Sequence, residues 1–246
     1  MKVLLLAGTH EARIIAKLID KTSKYSLIAS LAGITKEPIM IAEKMRFGGF
    51  GGQSGLIKFI KANNIHCVID ATHPFAINIS SNARLVCNQI HIPYLLFERP
   101  PWIKTTNDNW FEIDSESELL PYLSDGELIF IASGRQSVAY FKSNKNIKLI
   151  CRQIDDPGIP FPYGNGSYLI GRPPFSLESE IKLFKELNID WLLMKNSGGS
   201  QSEAKLIAAR KLGVRVGMIN RPNNFRGDSY SDTTKVIKWL DGLSNE

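Results

Sequence analysis

Cysteine is scarce in this chain: Cys67, Cys87 and Cys151 stand far apart and form no CxxC pair. Their spacing excludes a disulfide framework and paired-thiolate metal sites, and their apolar neighbours predict buried, reduced thiols and no metal. No apolar run approaches the roughly 20 residues that a membrane-spanning helix needs. The start, Met1-Lys2, leads straight into a short apolar segment instead of a signal h-region, so a cytoplasmic protein with no membrane partner is expected. Charge is not concentrated either. The net charge of +6 comes from lysines and arginines scattered over 246 residues, without a basic tail or an RNP-type motif, so nucleic acid is not an expected partner. A moderate positive field suits a small ligand carrying several carboxylates. With 43% hydrophobic and 22% charged residues, the composition is that of an ordinary globular protein of one or two domains.

What is present is organised around residues 45–76. Gly48, Gly49, Gly51 and Gly52 surround Phe50, a helix-like segment runs to about Asn63, and an apolar strand at 67–69 ends on Asp70-Ala71-Thr72-His73-Pro74-Phe75. The two polar loops fall at element ends, where an open α/β sheet binds ligands. Glycines permit positive φ and close approach to the backbone, and successive N–H groups there and at the next helix start suit an anion. Pro74 fits the first turn of a helix capped by Thr72 or His73.

The chain begins with an apolar strand at 3–6 and a glycine turn, Gly8-Thr9-His10-Glu11-Ala12. The helix that follows at 12–19 has its apolar positions at Ala12, Ile15, Ala16 and Ile19. Strand, glycine turn and helix open a Rossmann unit, although the full GxGxxG is absent. The second strand, 26–31, carries no acidic residue at its end to hold the ribose hydroxyls of NAD. Ser30, Thr35, Lys36 and Arg46 stand near enough in sequence to meet a 2′-phosphate, so the cofactor stays NADPH or NADH.

A helix at 76–89 and a strand at 93–97 close this unit, and Arg99-Pro100-Pro101-Trp102 breaks the pattern. The expected domains are residues 1–98, α/β and dinucleotide-binding, and 99–246, α/β and substrate-binding, with the last helix free to pack back on the first. The second half repeats strand, loop and helix through strands at 128–132, 147–151, 191–194 and 215–219 and helices at 176–187 and 203–212. Arg135, Arg152, Arg172, Lys195 and Arg221 lie near strand ends or in loops. The fold class expected is α/β, two Rossmann-like domains with mostly parallel sheets and a cleft between them, where those cations would meet an anionic substrate. On the residues alone, two further readings stand: a nicotinamide-dependent reductase or epimerase of another small substrate, and a non-catalytic binder of anionic ligands.

From the first strand to the last, the motifs resemble those of the precorrin-6A reductases and their cobalt-precorrin counterparts. The matching stretches are the GT-x-EAR turn at 8–13, Arg46-Phe47-Gly48-Gly49-Phe50-Gly51-Gly52, Asp70-Ala71-Thr72-His73-Pro74-Phe75-Ala76, and Ser133-Gly134-Arg135. Gly171-Arg172-Pro173-Pro174-Phe175-Ser176, Lys195-Asn196-Ser197-Gly198-Gly199 and Arg221-Pro222 complete the order. Two positions depart from the family pattern: Ala7 replaces a glycine, and Ile34 stands where an arginine is expected after Ala32-Gly33.

The resemblance implies an NAD(P)H-dependent oxidoreductase of cobalamin biosynthesis that converts precorrin-6A, a tetrapyrrole, or its cobalt form, to precorrin-6B. A hydride would pass from nicotinamide C4 to C19 of the macrocycle, with a proton delivered at C18. Gly8, Thr9, Glu11, Ala12, Ser30, Gly48, Gly49, Phe50, Gly51, Thr72, His73, Pro74 and Phe75 would hold the dinucleotide. Arg135, Arg172, Lys195, Asn196 and Ser197 would hold the macrocycle's acidic side chains. No catalytic acid is assigned, because His73 also fits a structural cap, and the oligomeric state is left open.

Overall fold

The computed structural model describes residues 1–33, 39–222 and 229–244. Ile34, Thr35 and Lys36 lie outside the described residues. The chain divides into two compact units, residues 1–100 together with 222–246, and residues 101–221.

In the first unit, β1 (Lys2–Leu6) buries Val3 to Leu6 completely or nearly so. Its side chains alternate between the two faces of the sheet, as the two-residue repeat of a strand dictates. Val3 and Leu5 join Cys67 and Ile69 under α1 (His10–Thr22), while Leu4 and Leu6 join Val68 in a core with Leu56, Ile60, Ala83 and Val86. Burying each such aliphatic side chain stabilises by roughly 1.5–3 kcal/mol. The remaining elements of this unit are β2 (Ser26–Leu31), β3 (Lys44–Phe47), α2 (Gly52–Ala62), β4 (Cys67–Asp70), α3 (Ile77–Gln89) and β5 (Tyr94–Phe97).

The second unit contains β6 (Trp110–Ile113), β7 (Leu128–Ile131), β8 (Lys148–Gln153), β9 (Gly166–Ile170), α4 (Leu177–Leu187), β10 (Trp191–Lys195), α5 (Glu203–Leu212) and β11 (Arg215–Ile219). Short 3-10 helices at Glu116–Tyr122 and Arg135–Phe141 take the place of full helices between strands. The chain then returns to the first unit with β12 (Ser229–Tyr230) and α6 (Thr233–Leu243), whose Val236 and Leu240 are fully buried in the α1 core.

Among the described residues, both sheets have six strands. The first runs β12-β5-β4-β1-β2-β3 and the second β6-β11-β10-β7-β8-β9, and every pairing is parallel. Each order is that of a doubly wound sheet, reversing between β1 and β4 in one and between β7 and β10 in the other. In each, the sixth strand comes from an unexpected place in the chain. The last strand, β12, completes the first sheet, and β6, which precedes its own unit's other strands, completes the second.

Several local expectations differ from the fold. Pro74 does not start a helix: residues 73–76 form a turn closed by Ala76 N–H to His73 O at 2.7 Å, and α3 begins at Ile77. The glycine-rich stretch is preceded by a strand, β3, where a loop was expected, and β6 and β9 occupy segments without a strong strand pattern. All of these are strands at or next to a sheet edge, where one-sided burial leaves no continuous apolar run.

Candidate functional site

In an open α/β sheet ligands meet the reversal point, and in each unit two of the polar loops follow the strands that flank it, β1 and β4 in one and β7 and β10 in the other. In the first unit, β1 and β4 are hydrogen-bonded neighbours, with Leu6 opposite Asp70. Thr9 ties their two loops together. Its hydroxyl accepts the Ala12 N–H at 3.1 Å, capping α1, and donates to the Ala71 carbonyl at 2.8 Å. Ala12 itself is fully buried in the core, so its part is to seat this cap. Glu11, at the start of α1, pairs with Arg99 at 2.8 Å, with both side chains largely shielded from solvent.

Asp70 is fully buried and accepts from Thr72 N–H at 3.1 Å, Thr72 Oγ1 at 2.7 Å and the Tyr94 hydroxyl at 2.9 Å. Burial and the neighbouring Asp70 charge push the Tyr94 phenol well above its ordinary range, so it stays a donor. The carboxylate thereby fixes the loop that carries His73, Pro74 and Phe75. His73 Nδ1 accepts the Phe75 N–H at 3.3 Å, and the two rings lie 5.7 Å apart.

The glycine loop is shaped by Arg46. Its guanidinium donates to Ser30 Oγ, Gly48 O and Gly49 O, each at 2.9 Å, and lies over the Phe50 ring at 3.8 Å. Burial lowers its pKa from the ordinary arginine value. One cation thus joins the end of β2 to the loop after β3. Gly51 caps α2 in the left-handed region, φ 78°, which a side chain would disfavour. A Cβ on Gly55 would lie 1.7 Å from the Phe50 carbonyl oxygen, so α2 approaches the loop as closely as backbone allows. A Cβ on Gly49 would meet nothing within 4 Å, and its φ is not positive. No contact within the described residues demands a glycine there.

In the second unit, the corresponding loops are 133–135 after β7 and 195–199 after β10. Ser133 Oγ donates to Ser137 Oγ at 2.7 Å, which donates to Glu116 Oε1 at 2.6 Å, anchoring the turn that presents the exposed Arg135. Arg172 is exposed and pairs with Asp155 at 2.7 Å. Ser197 is buried, and its N–H donates to Lys195 O at 2.7 Å. The Asn196 amide pairs with the backbone of Trp102.

Arg152, one of the cations picked out by sequence, is committed to the fold. It makes a bidentate pair with the buried Glu180 at 2.6 and 2.9 Å and lies between the Phe130 and Phe175 rings. Sequence reasoning passed over Lys205 in the first turn of α5. Its amine donates to Ser202 O at 3.3 Å, and burial lowers its pKa to about 8 against the raising effect of Glu180. The signal was a lysine at a helix start, where the macrodipole disfavours a cation. Gly55 was also missed, since glycine inside a helical pattern shows its purpose only through its spatial neighbour.

Two all-parallel, doubly wound sheets with polar loops at both reversal points place the molecule among Rossmann-like α/β proteins. A family model described as "Precorrin-6x reductase CbiJ/CobK" matches residues 2–241. The precorrin-6A reductase of Rhodococcus erythropolis is 38% identical over 247 residues, covering 99% of this chain and 98% of the relative. That of Rhodobacter capsulatus is 34% identical, covering 97% and 95%. A solved structure, "CobK precorrin-6A reductase", superposes with a TM-score of 0.92 at 33% identity over 98% of this chain and 96% of the other. The chain belongs to the precorrin-6x reductase family, a family of nicotinamide-dependent oxidoreductases. Among the described residues, no helix is long and apolar enough to cross a membrane.

Proposed function

We propose that this chain reduces precorrin-6A to precorrin-6B in cobalamin biosynthesis, with the dinucleotide held by the first unit and the macrocycle by the second. The observation that carries this reading is the placement of matching loops at both reversal points. Gly8-Thr9 and residues 72–75 follow β1 and β4 in one unit, with the Arg46-braced glycines after the edge strand β3, and residues 133–135 and 195–199 follow β7 and β10 in the other.

The residues of the first unit fit a dinucleotide. Gly49 leaves its backbone open to a ligand, and Thr9, bonded to both α1 and Ala71, holds the two loops in register. The end of β2, the usual ribose side of a Rossmann unit, carries Ser30 bonded to Arg46 and no acidic side chain, which supports this reading. A guanidinium there favours a 2′-phosphate, so NADPH is the preferred cofactor.

When bound, the nicotinamide supplies the hydride. The chain's own contribution is placement: cations of the second unit orient an acidic ring, and Asp70 and Arg46 keep the dinucleotide loops preorganised. Gly49→Ala tests the cofactor side. Fluorescence titration should show NADPH affinity falling about tenfold or more, which corresponds to ~1.4 kcal/mol, with the melting temperature nearly unchanged. Unaltered affinity would remove this loop from the dinucleotide site.

The reaction itself is tested by mixing the protein with precorrin-6A or its cobalt form and following loss of nicotinamide absorbance with NADPH and with NADH. Consumption of NADPH in step with macrocycle reduction is the expected result. No consumption with either macrocycle would refute the assignment.

A further inference from the structure

Asn196 was expected to hold substrate by its side chain, yet its hydrogen bonds point elsewhere. Oδ1 accepts the Trp102 N–H at 2.9 Å, and Nδ2 donates to the Trp102 carbonyl at 3.0 Å. The amide therefore matches both backbone groups of one residue, as a neighbouring strand would. Its own N–H donates to Ile219 O at 2.9 Å, and its carbonyl accepts Arg221 Nε at 2.8 Å. Residues 102 and 221 lie at the two ends of the 101–221 unit. One side chain and one peptide thus fasten the entering and leaving segments of that unit to the loop after β10.

The local geometry explains why this matters for ligands. Ser197 N–H donates to Lys195 O at 2.7 Å, closing a tight turn with Asn196 at its apex. Lys195 and Ser197 are the flanks of that turn. With its amide engaged on Trp102, Asn196 fixes the direction in which both flanks leave the sheet. An apex free to rotate would let both drift, and small misplacements of binding groups are costly.

We propose that Asn196 is a positioning residue for macrocycle binding: it acts through the Trp102 backbone to set the turn that presents Lys195 and Ser197, and it does not contact the ligand. This rests on the reading that the loop after β10 belongs to the macrocycle side. Asn of this length is required, because Asp lacks the donor for the Trp102 carbonyl and Ala lacks both groups.

The test is a double-mutant cycle on Lys195→Ala and Asn196→Ala in the full chain, with Asn196→Asp as a second variant that keeps the size and the acceptor for the Trp102 N–H. KM for precorrin-6A, KM for NADPH, kcat and melting temperature are measured for each. Asn196→Ala should raise the macrocycle KM roughly 5- to 20-fold while NADPH KM changes less than about twofold. Asn196→Asp should show a smaller shift in the same direction. In the Lys195→Ala background, Asn196→Ala should add much less than it does alone, because the group it positions is gone.

Additive penalties would mean that Asn196 binds the ligand independently, and the proposal would fall. An unchanged macrocycle KM in both Asn196 variants, with a raised KM in Lys195→Ala and Arg135→Ala, would also overturn it while leaving the site reading intact. If Lys195→Ala and Arg135→Ala leave that KM unchanged as well, the reading of the macrocycle side fails, and the positioning role fails with it.

Discussion

Lys205 carries a charge where two local rules oppose it: it sits in the first turn of α5 and its amine is largely removed from water. Below about pH 8 the folded protein holds that ammonium at a cost. As pH rises through about 8, the folded state releases the proton while an unfolded lysine keeps it to about 10.4. The cost therefore fades between these two values, and stability rises with pH across that window. Lys205→Met, which keeps the apolar stem, should raise the melting temperature at pH 7 by a few degrees. The gain should shrink as pH approaches 10, and calorimetry at pH 7 and 9.5 distinguishes this from a pH-independent packing effect. The thiols of Cys67 and Cys87 are also desolvated, and burial pushes both up to about 12. They behave as small core side chains, as their apolar sequence neighbours indicated.

Residues also mark the limit of what sequence discloses about the site. The glycines after β3 were legible because their density has few other uses. The clamp of Arg46 on the Gly48 and Gly49 carbonyls was not, since it depends on the guanidinium folding back over Phe50. Asn196 stood out through its motif, but its partner Trp102 is 94 residues away in the chain. Nothing local to either residue encodes that pairing.

Among the elements, several were readable with nearly their observed ends. β2 at Ser26–Leu31, α5 at Glu203–Leu212 and β11 at Arg215–Ile219 coincide with their sequence readings. β3, Lys44–Phe47, shows only partial burial, and β9, Gly166–Ile170, likewise, because each forms the edge of its sheet. An edge strand leaves one side unpaired and has less need of an apolar signature. Helix α2 was readable, but the reason for its close seating against the glycine loop was not. Gly55→Ala tests that seating. A methyl 1.7 Å from a backbone oxygen forces the helix and loop apart and should destabilise by about 1–3 kcal/mol. At about 2–4 °C per kcal/mol for a chain of this size, a thermal scan resolves the loss, and NADPH titration should weaken in parallel. An unchanged melting temperature would show that the loop yields freely.

At the scale of the whole molecule, the two units divide between Pro100 and Pro101, inside the proline-rich stretch of the sequence. The return of residues from Pro222 to the first unit depends on β12, two residues long, pairing with β5 through Ser229 opposite Leu96 and Tyr230 opposite Phe97. So short a strand carries no periodicity. Its docking is secured by α6, whose Val236 and Leu240 lie against α1, and by the Tyr25 hydroxyl, which donates to Asp241 at 2.7 Å. Ending the chain after Arg221 would strip these contacts from the first unit. Such a truncation should lower the first unit's melting temperature, expose apolar surface to dye binding and abolish NADPH binding; wild-type dinucleotide affinity in the shortened chain would show that β12 and α6 are dispensable.

That late closure has a consequence for biogenesis. When the ribosome has finished β5, the growing polypeptide presents the unpaired side of Leu96 and Phe97, and the segment that will pair with it has not yet been translated. At 5–20 residues per second, translating the intervening hundred-odd residues takes on the order of 5–25 s. Throughout that interval the nascent edge is open to another polypeptide's strand.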